Sequence, residues 1–182
     1  MKKNMILFAA VISALSFSLP AVADAGDSPT LKRIQDSGTV NIGHRETSIP
    51  FSYIGANNEP EGYSIDLCHK IVDAIKEELG VSSLDINYVP VTGQTRIPLI
   101  ANGTIDMECG STTNNLTRQK QVEYLPTTFI TGTKIASKMG SGISELEDMN
   151  GMVIGMSAGT TNEKAIKAAI AAGGLDIKVV TV

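Results

Sequence analysis

The sequence has no tryptophan, and aromatic residues make up only 4% of its 182 positions. That scarcity argues against a stacking platform for sugars or bases, which needs several exposed rings. Positive charge is also in deficit: 15 lysines and arginines face 19 acids, for a net charge of −4. The dense basic surface that non-specific nucleic-acid binding requires is therefore missing. Cysteine and histidine occur twice each. Cys68 and Cys109 fit no zinc-site spacing, and His44 and His69 stand alone, so neither reads as a ligand. Glu46 and Glu108 fall near loops, with nothing in the sequence to pair them. No nucleophile elbow, dinucleotide fingerprint or internal repeat occurs. No metal and no cofactor are expected, and no residue stands out as catalytic.

What is present begins with a leader. Lys2 and Lys3 precede a mostly apolar stretch over residues 5–19, followed by Pro20 and the small-residue run Ala21, Val22, Ala23. This is the pattern of a secretory signal peptide, too short and wrongly flanked for a membrane span. Cleavage after Ala23 leaves 13 basic and 19 acidic residues, a net −6. No cysteine follows to suggest a lipid anchor, so a soluble exported product is expected. In an oxidising compartment disulfides persist. Cys68 shares a helical stripe with Ile71, Val72, Ile75 and Leu79, and Cys109 ends an apolar strand. A bridge between them and two buried free thiols are both compatible with that placement.

Strand and helix alternate along the first hundred residues after the leader. The patterning predicts a helix over residues 30–37 closed by Gly38, a strand over 39–43, and an irregular or hairpin segment over 44–62. It continues with a helix over 64–79, a strand over 84–89, a short helix over 94–102 and a strand over 104–109. A short helix over 114–121 and strands over 122–125 and 129–137 follow. The rhythm then restarts: a polar helix-like stretch over 143–149, a strand over 152–156, a helix over 161–172 and a strand over 177–180. Such alternation indicates a layered α/β fold. Met139, Gly140, Ser141 and Gly142 mark a boundary between a first lobe, 24–138, and a second, 139–182. One strand–helix–strand unit cannot cover both faces of its own sheet, so the second lobe reads as incomplete and the sequence as a fragment.

Three arginines follow three successive strand ends. Arg45 comes directly after the first strand, Arg96 opens the short helix after Val89, and Arg118 follows the Cys109 strand. In an open α/β sheet, ligands bind beyond the carboxyl ends of the strands. Each guanidinium offers a planar fork suited to a carboxylate. Any one alone reads as a solvated surface residue; three at successive strand ends of an acidic protein point to a shared anion-binding crevice. Ser111, Thr112 and Thr113 add hydroxyls and N–H groups at the same edge, where simple helix capping also accounts for them. In the second lobe, Thr160 and Glu163 form a capping box, and the helix start at Gly159, Thr160 and Thr161 suits an anion.

At these segments the sequence resembles the periplasmic amino-acid-binding proteins of ABC transporters, in particular the glutamate/aspartate-binding members. The resemblance is carried by residues 43–52 (Gly-His-Arg-Glu-Thr-Ser-Ile-Pro-Phe-Ser), 62–67 (Gly-Tyr-Ser-Ile-Asp-Leu), 96–99 (Arg-Ile-Pro-Leu), 108–115 and the Gly159-Thr160-Thr161 turn. It implies a two-lobed periplasmic binding protein type II fold that closes over its ligand like a hinged clamp. It also implies a periplasmic monomer that hands an acidic amino acid to a membrane permease and catalyses nothing. By resemblance Arg118 grips the α-carboxylate together with Thr113 and Thr161, while Arg45 and Arg96, with Ser111 nearby, select the acidic side chain. The family's acidic-amino-acid members usually carry serine where this chain has Gly93, so a hydroxyl contact is lost there. The family also includes dehydratase-like enzymes and sensor lobes of membrane receptors, which stand as the alternatives.

Overall fold

The computed structural model describes residues 28–182. The leader assigned to residues 1–23 lies outside them. Helix α1 (Pro29–Ser37) starts where Ser28 accepts a hydrogen bond from the Leu31 amide and Pro29 occupies the first turn. It stops at Gly38, whose left-handed φ of 68° lets its N–H close on the Ile34 carbonyl. Strand β1 (Thr39–His44) follows immediately and becomes the centre of a parallel sheet ordered β5–β1–β6. Its flanks are β5 (Asp85–Pro90) and β6 (Met107–Cys109). Between β1 and β5 lie a small antiparallel sheet of β2 (Thr47–Ser48), β3 (Ser52–Ile54) and β4 (Pro60–Glu61), and helix α2 (Tyr63–Leu79). Helix α3 (Arg96–Ala101) links β5 to β6.

Val40 and Ile42 from β1 meet Ile34 from α1, and Ile65, Cys68 and Val72 from α2, in one buried cluster completed by Cys109. Cys68 and Cys109 are joined as a disulfide with their Cα atoms 6.3 Å apart, tying α2 to the end of β6. Asp106 is buried beside the sheet, where it accepts from Arg33 at 2.7 Å and from the Asn41 amide at 2.8 Å. Those bonds fix β6 against α1 and β1 just before Glu108.

A second, smaller unit contains β7 (Val153–Met156), helix α4 (Thr161–Gly173) and β8 (Lys178–Thr181), with β7 and β8 parallel. Its core is Met149, Ile154 and Ile177, and α4 contributes no fully buried residue to it.

Four expectations need correction. Residues 122–125 and 129–137 form no strands; Phe129 and Ile130 are exposed at 58% and 89%, without a ladder partner. The helix expected over 114–121 shrinks to a 3-10 turn at Arg118–Lys120. There the Asn115 side chain takes the Thr117 and Arg118 amides that a helix would have used. Over 143–149 only a 3-10 turn at Glu147–Met149 forms, with Asp148 accepting from the Ser144 and Glu145 amides ahead of it. Strand β6 is three residues long, not six.

Candidate functional site

Strand register brings the chemistry to one edge. His44 on β1 pairs with Pro90 on β5 and with Cys109 on β6, so the three strands end level. The chain leaving β1 begins with Arg45, the chain leaving β5 leads to Arg96, and the chain leaving β6 runs through Gly110 to Thr113 and on to Arg118. This is the crevice position of an open α/β sheet.

Arg45 is held by its backbone. Ser52, fully buried on β3, accepts from the Arg45 amide at 2.9 Å and donates to its carbonyl at 3.3 Å. Gly110 lies between the Arg45 stem and the Glu108 carboxylate: a Cβ there would come within 3.1 Å of Arg45 Cγ. The loop is further pinned by Ser64, which donates to the Gly110 carbonyl at 2.8 Å.

Arg96 is 3% exposed. Its Nη1 faces Glu108 Oε1 at 3.6 Å, beyond hydrogen-bonding range, and both Nε and Nη1 are buried without a partner. Burial pushes the Arg96 guanidinium below its ordinary pKa; Glu108 opposes that shift, whereas the Arg118 and Arg45 charges reinforce it. The three guanidinium groups therefore share one electrostatic neighbourhood. Burial likewise pushes the Glu108 carboxyl up, with Arg96 the leading opposing influence.

Arg118 bridges the two units. It donates from Nη1 to the Thr113 carbonyl at 3.0 Å and from Nη2 to the Gly159 carbonyl at 3.3 Å. Thr113 Oγ1 meets Thr161 Oγ1 at 3.1 Å. Thr160 caps α4 through the Glu163 amide, and Glu163 returns a carboxylate oxygen to the Gly159 amide at 2.8 Å. An open recess of about 770 Å³ is lined by Arg118, Thr160, Thr161 and Lys164 among others, but not by Arg45 or Arg96. Gly93 packs against this turn; a Cβ on it would collide with the Ala158 carbonyl oxygen. Ser111 is exposed at the same edge.

At this edge the sequence reading missed the roles of three residues. Glu108 does pair, with Arg96; its signal was an acid inside an otherwise apolar strand. Tyr124 donates to the Thr113 carbonyl at 3.2 Å, and burial raises its pKa against the pull of Arg118. Ser52 positions Arg45, as described. The histidines are also not isolated: His69 Nε2 lies 2.6 Å from the Tyr88 hydroxyl, and the buried His44 ring meets Tyr88 edge-on. Both belong to the packing of β1, β5 and α2. Among the described residues, no group of three or more His, Cys, Asp or Glu could hold a metal ion, and no helix is long and apolar enough to cross a membrane.

Residues 40–178 match the model of the bacterial extracellular solute-binding proteins, family 3. The chain is 48% identical over 164 residues to the L-glutamate/L-aspartate-binding protein of Pseudomonas aeruginosa, covering 90% of this chain and 54% of that one. Over 152 residues it is 41% identical to the glutamate/aspartate import solute-binding protein of Escherichia coli, covering 82% and 50%. The chain thus spans about half the length of these relatives. Among solved structures it resembles an ancestral amino acid-binding protein, a precursor of cyclohexadienyl dehydratase. The TM-score is 0.72 at 25% identity, over 84% of this chain and 64% of that one. The α/β architecture is that of the type II periplasmic binding proteins. By family match and by fold, the chain belongs to the bacterial extracellular solute-binding proteins, family 3.

Proposed function

We propose that the protein captures an acidic L-amino acid, glutamate or aspartate, outside the cytoplasm and delivers it to the permease of an ABC transporter. One observation carries this reading: Arg96 is buried with two donors unpaired, in the company of Arg45 and Arg118. A buried guanidinium with unspent N–H groups is costly unless an anion completes it, so the pocket favours a carboxylate and penalises a neutral substitute. Arg118, with Thr113, Thr160 and Thr161, takes the α-carboxylate where the two units meet. Arg45 and Arg96, with Ser111, take the side-chain carboxylate. Residues 24–138 and 139–182 act as the two lobes of a clamp, and residues 1–23 direct export to the periplasm. The Pseudomonas L-glutamate/L-aspartate-binding protein and the Escherichia glutamate/aspartate import protein support the same ligand class. Binding, not catalysis, is the activity.

Titration calorimetry on the protein expressed from its complete reading frame tests the proposal. Glutamate and aspartate are expected to bind at least about tenfold more tightly than glutamine or histidine, a difference of about 1.4 kcal/mol or more. Preference for a neutral or basic ligand would defeat the acidic assignment.

A further inference from the structure

Glu108 has no part in the ligand roles above, yet its carboxylate is 6% exposed and sits beside Arg96, with the Arg45 stem across Gly110. Burying an ion is expensive unless a counter-charge comes with it. The Arg96–Glu108 geometry supplies that charge without a hydrogen bond: at 3.6 Å, Nη1 and Oε1 attract each other but neither is saturated. The guanidinium is thereby tolerated in the interior while its donors remain free. Backbone pairing explains the placement, since Glu108 sits opposite Gly43 on β1, two residues before Arg45. At the edge where the three strands end, three guanidinium groups and one carboxylate sum to +2, the complement of two ligand carboxylates.

We propose that Glu108 is a place-holding counter-ion, which balances Arg96 in the empty protein and cedes that role to the side-chain carboxylate of the ligand. The inference rests on the acidic-amino-acid reading and deepens it. A ligand gains only the difference between its own attraction for Arg96 and that of the resident acid. Glu108 therefore stabilises the unliganded fold at the expense of affinity. The influences on the Glu108 carboxyl agree: burial raises its pKa, and Arg96 is the leading influence against that rise.

Thermal unfolding of the protein from its complete reading frame decides the matter, measured alone and with saturating L-glutamate or L-glutamine. Glu108→Gln should lower the unliganded midpoint by about 5 °C or more, as expected for a stranded buried cation. L-glutamate should recover most of that loss, making its midpoint shift at least about half as large again as in the wild type. L-glutamine should not, and Glu108→Asp, which keeps the charge, should behave like the wild type. If Glu108→Gln lowers free and glutamate-bound midpoints equally, Glu108 is a packing residue and the inference falls. If the wild-type protein shows no glutamate-induced shift, the acidic-ligand reading fails and takes this one with it. Should Glu108→Gln not fold, the double variant Glu108→Gln/Arg96→Met decides. A restored cooperative transition shows that the acid serves Arg96, and a second failure to fold overturns the idea.

Discussion

Arg96 combines burial with two donors that nothing among the described residues accepts. Replacing it by methionine keeps the stem but removes the fork, and should weaken glutamate by about 10- to 100-fold while leaving glutamine within a few-fold, the scale of a charge-assisted pair. Calorimetry on the variant checks this, and equal losses for both ligands would remove Arg96 from the role of side-chain reader. Because methionine strands Glu108, the same comparison in the Arg96→Met/Glu108→Gln background separates ligand contact from burial of a lone acid. The arginines were legible because guanidinium groups after successive strands are conspicuous in sequence. Glu108 was not, because its partner opens helix α3 and only the register of β6 against β1 brings the two together. Ser52 and Tyr124 were hidden for a similar reason: their bonds go to backbone carbonyls and amides, which carry no sequence signal.

At the scale of elements, caps and glycines marked most boundaries to within one or two residues. Gly38, Gly80 and Gly174 each end a helix with φ between 63° and 68°. The failures cluster where Asn115 and Asp148 accept local amides; at Asn115 those amides are ones a helix would have used. Strands expected after Val122 lacked partners among the described residues, and a strand exists only as half of a pair. The start of α4 makes a pH-dependent prediction. Lys167, and then the Gly159 amide, hold the Glu163 carboxyl below its ordinary value of 4.5. A depressed acid contributes stability above that value and loses it as pH falls through the lowered one. The Gly159 amide resonance should therefore shift as the solution is acidified below 4.5, and Glu163→Gln should abolish the shift. The Gly159 carbonyl meanwhile accepts from Arg118, so the same residue carries a bond across the two units.

Over the whole molecule, the two units differ in how firmly they are built. The first packs two helices and a three-stranded sheet around seven buried residues, whereas the second rests on Met149, Ile154 and Ile177. Amide exchange should follow that contrast, with α4 exchanging about tenfold or more faster than α2 because few buried contacts oppose its opening. Mass-resolved exchange measures it directly, and similar protection in both helices would contradict the prediction. The layered α/β class was legible because alternation of strand and helix is a long-range rhythm that local errors do not erase. The level ending of three strands was not, since it depends on pairing between segments more than 40 residues apart. The Cys68–Cys109 bond encloses 41 residues of separation, and inside that ring lie most of α2, all of β5 and the whole of α3 with Arg96. A protease that nicks any loop within the ring leaves two polypeptides on paper but one particle in solution, which comes apart only in strong denaturant with a reductant present.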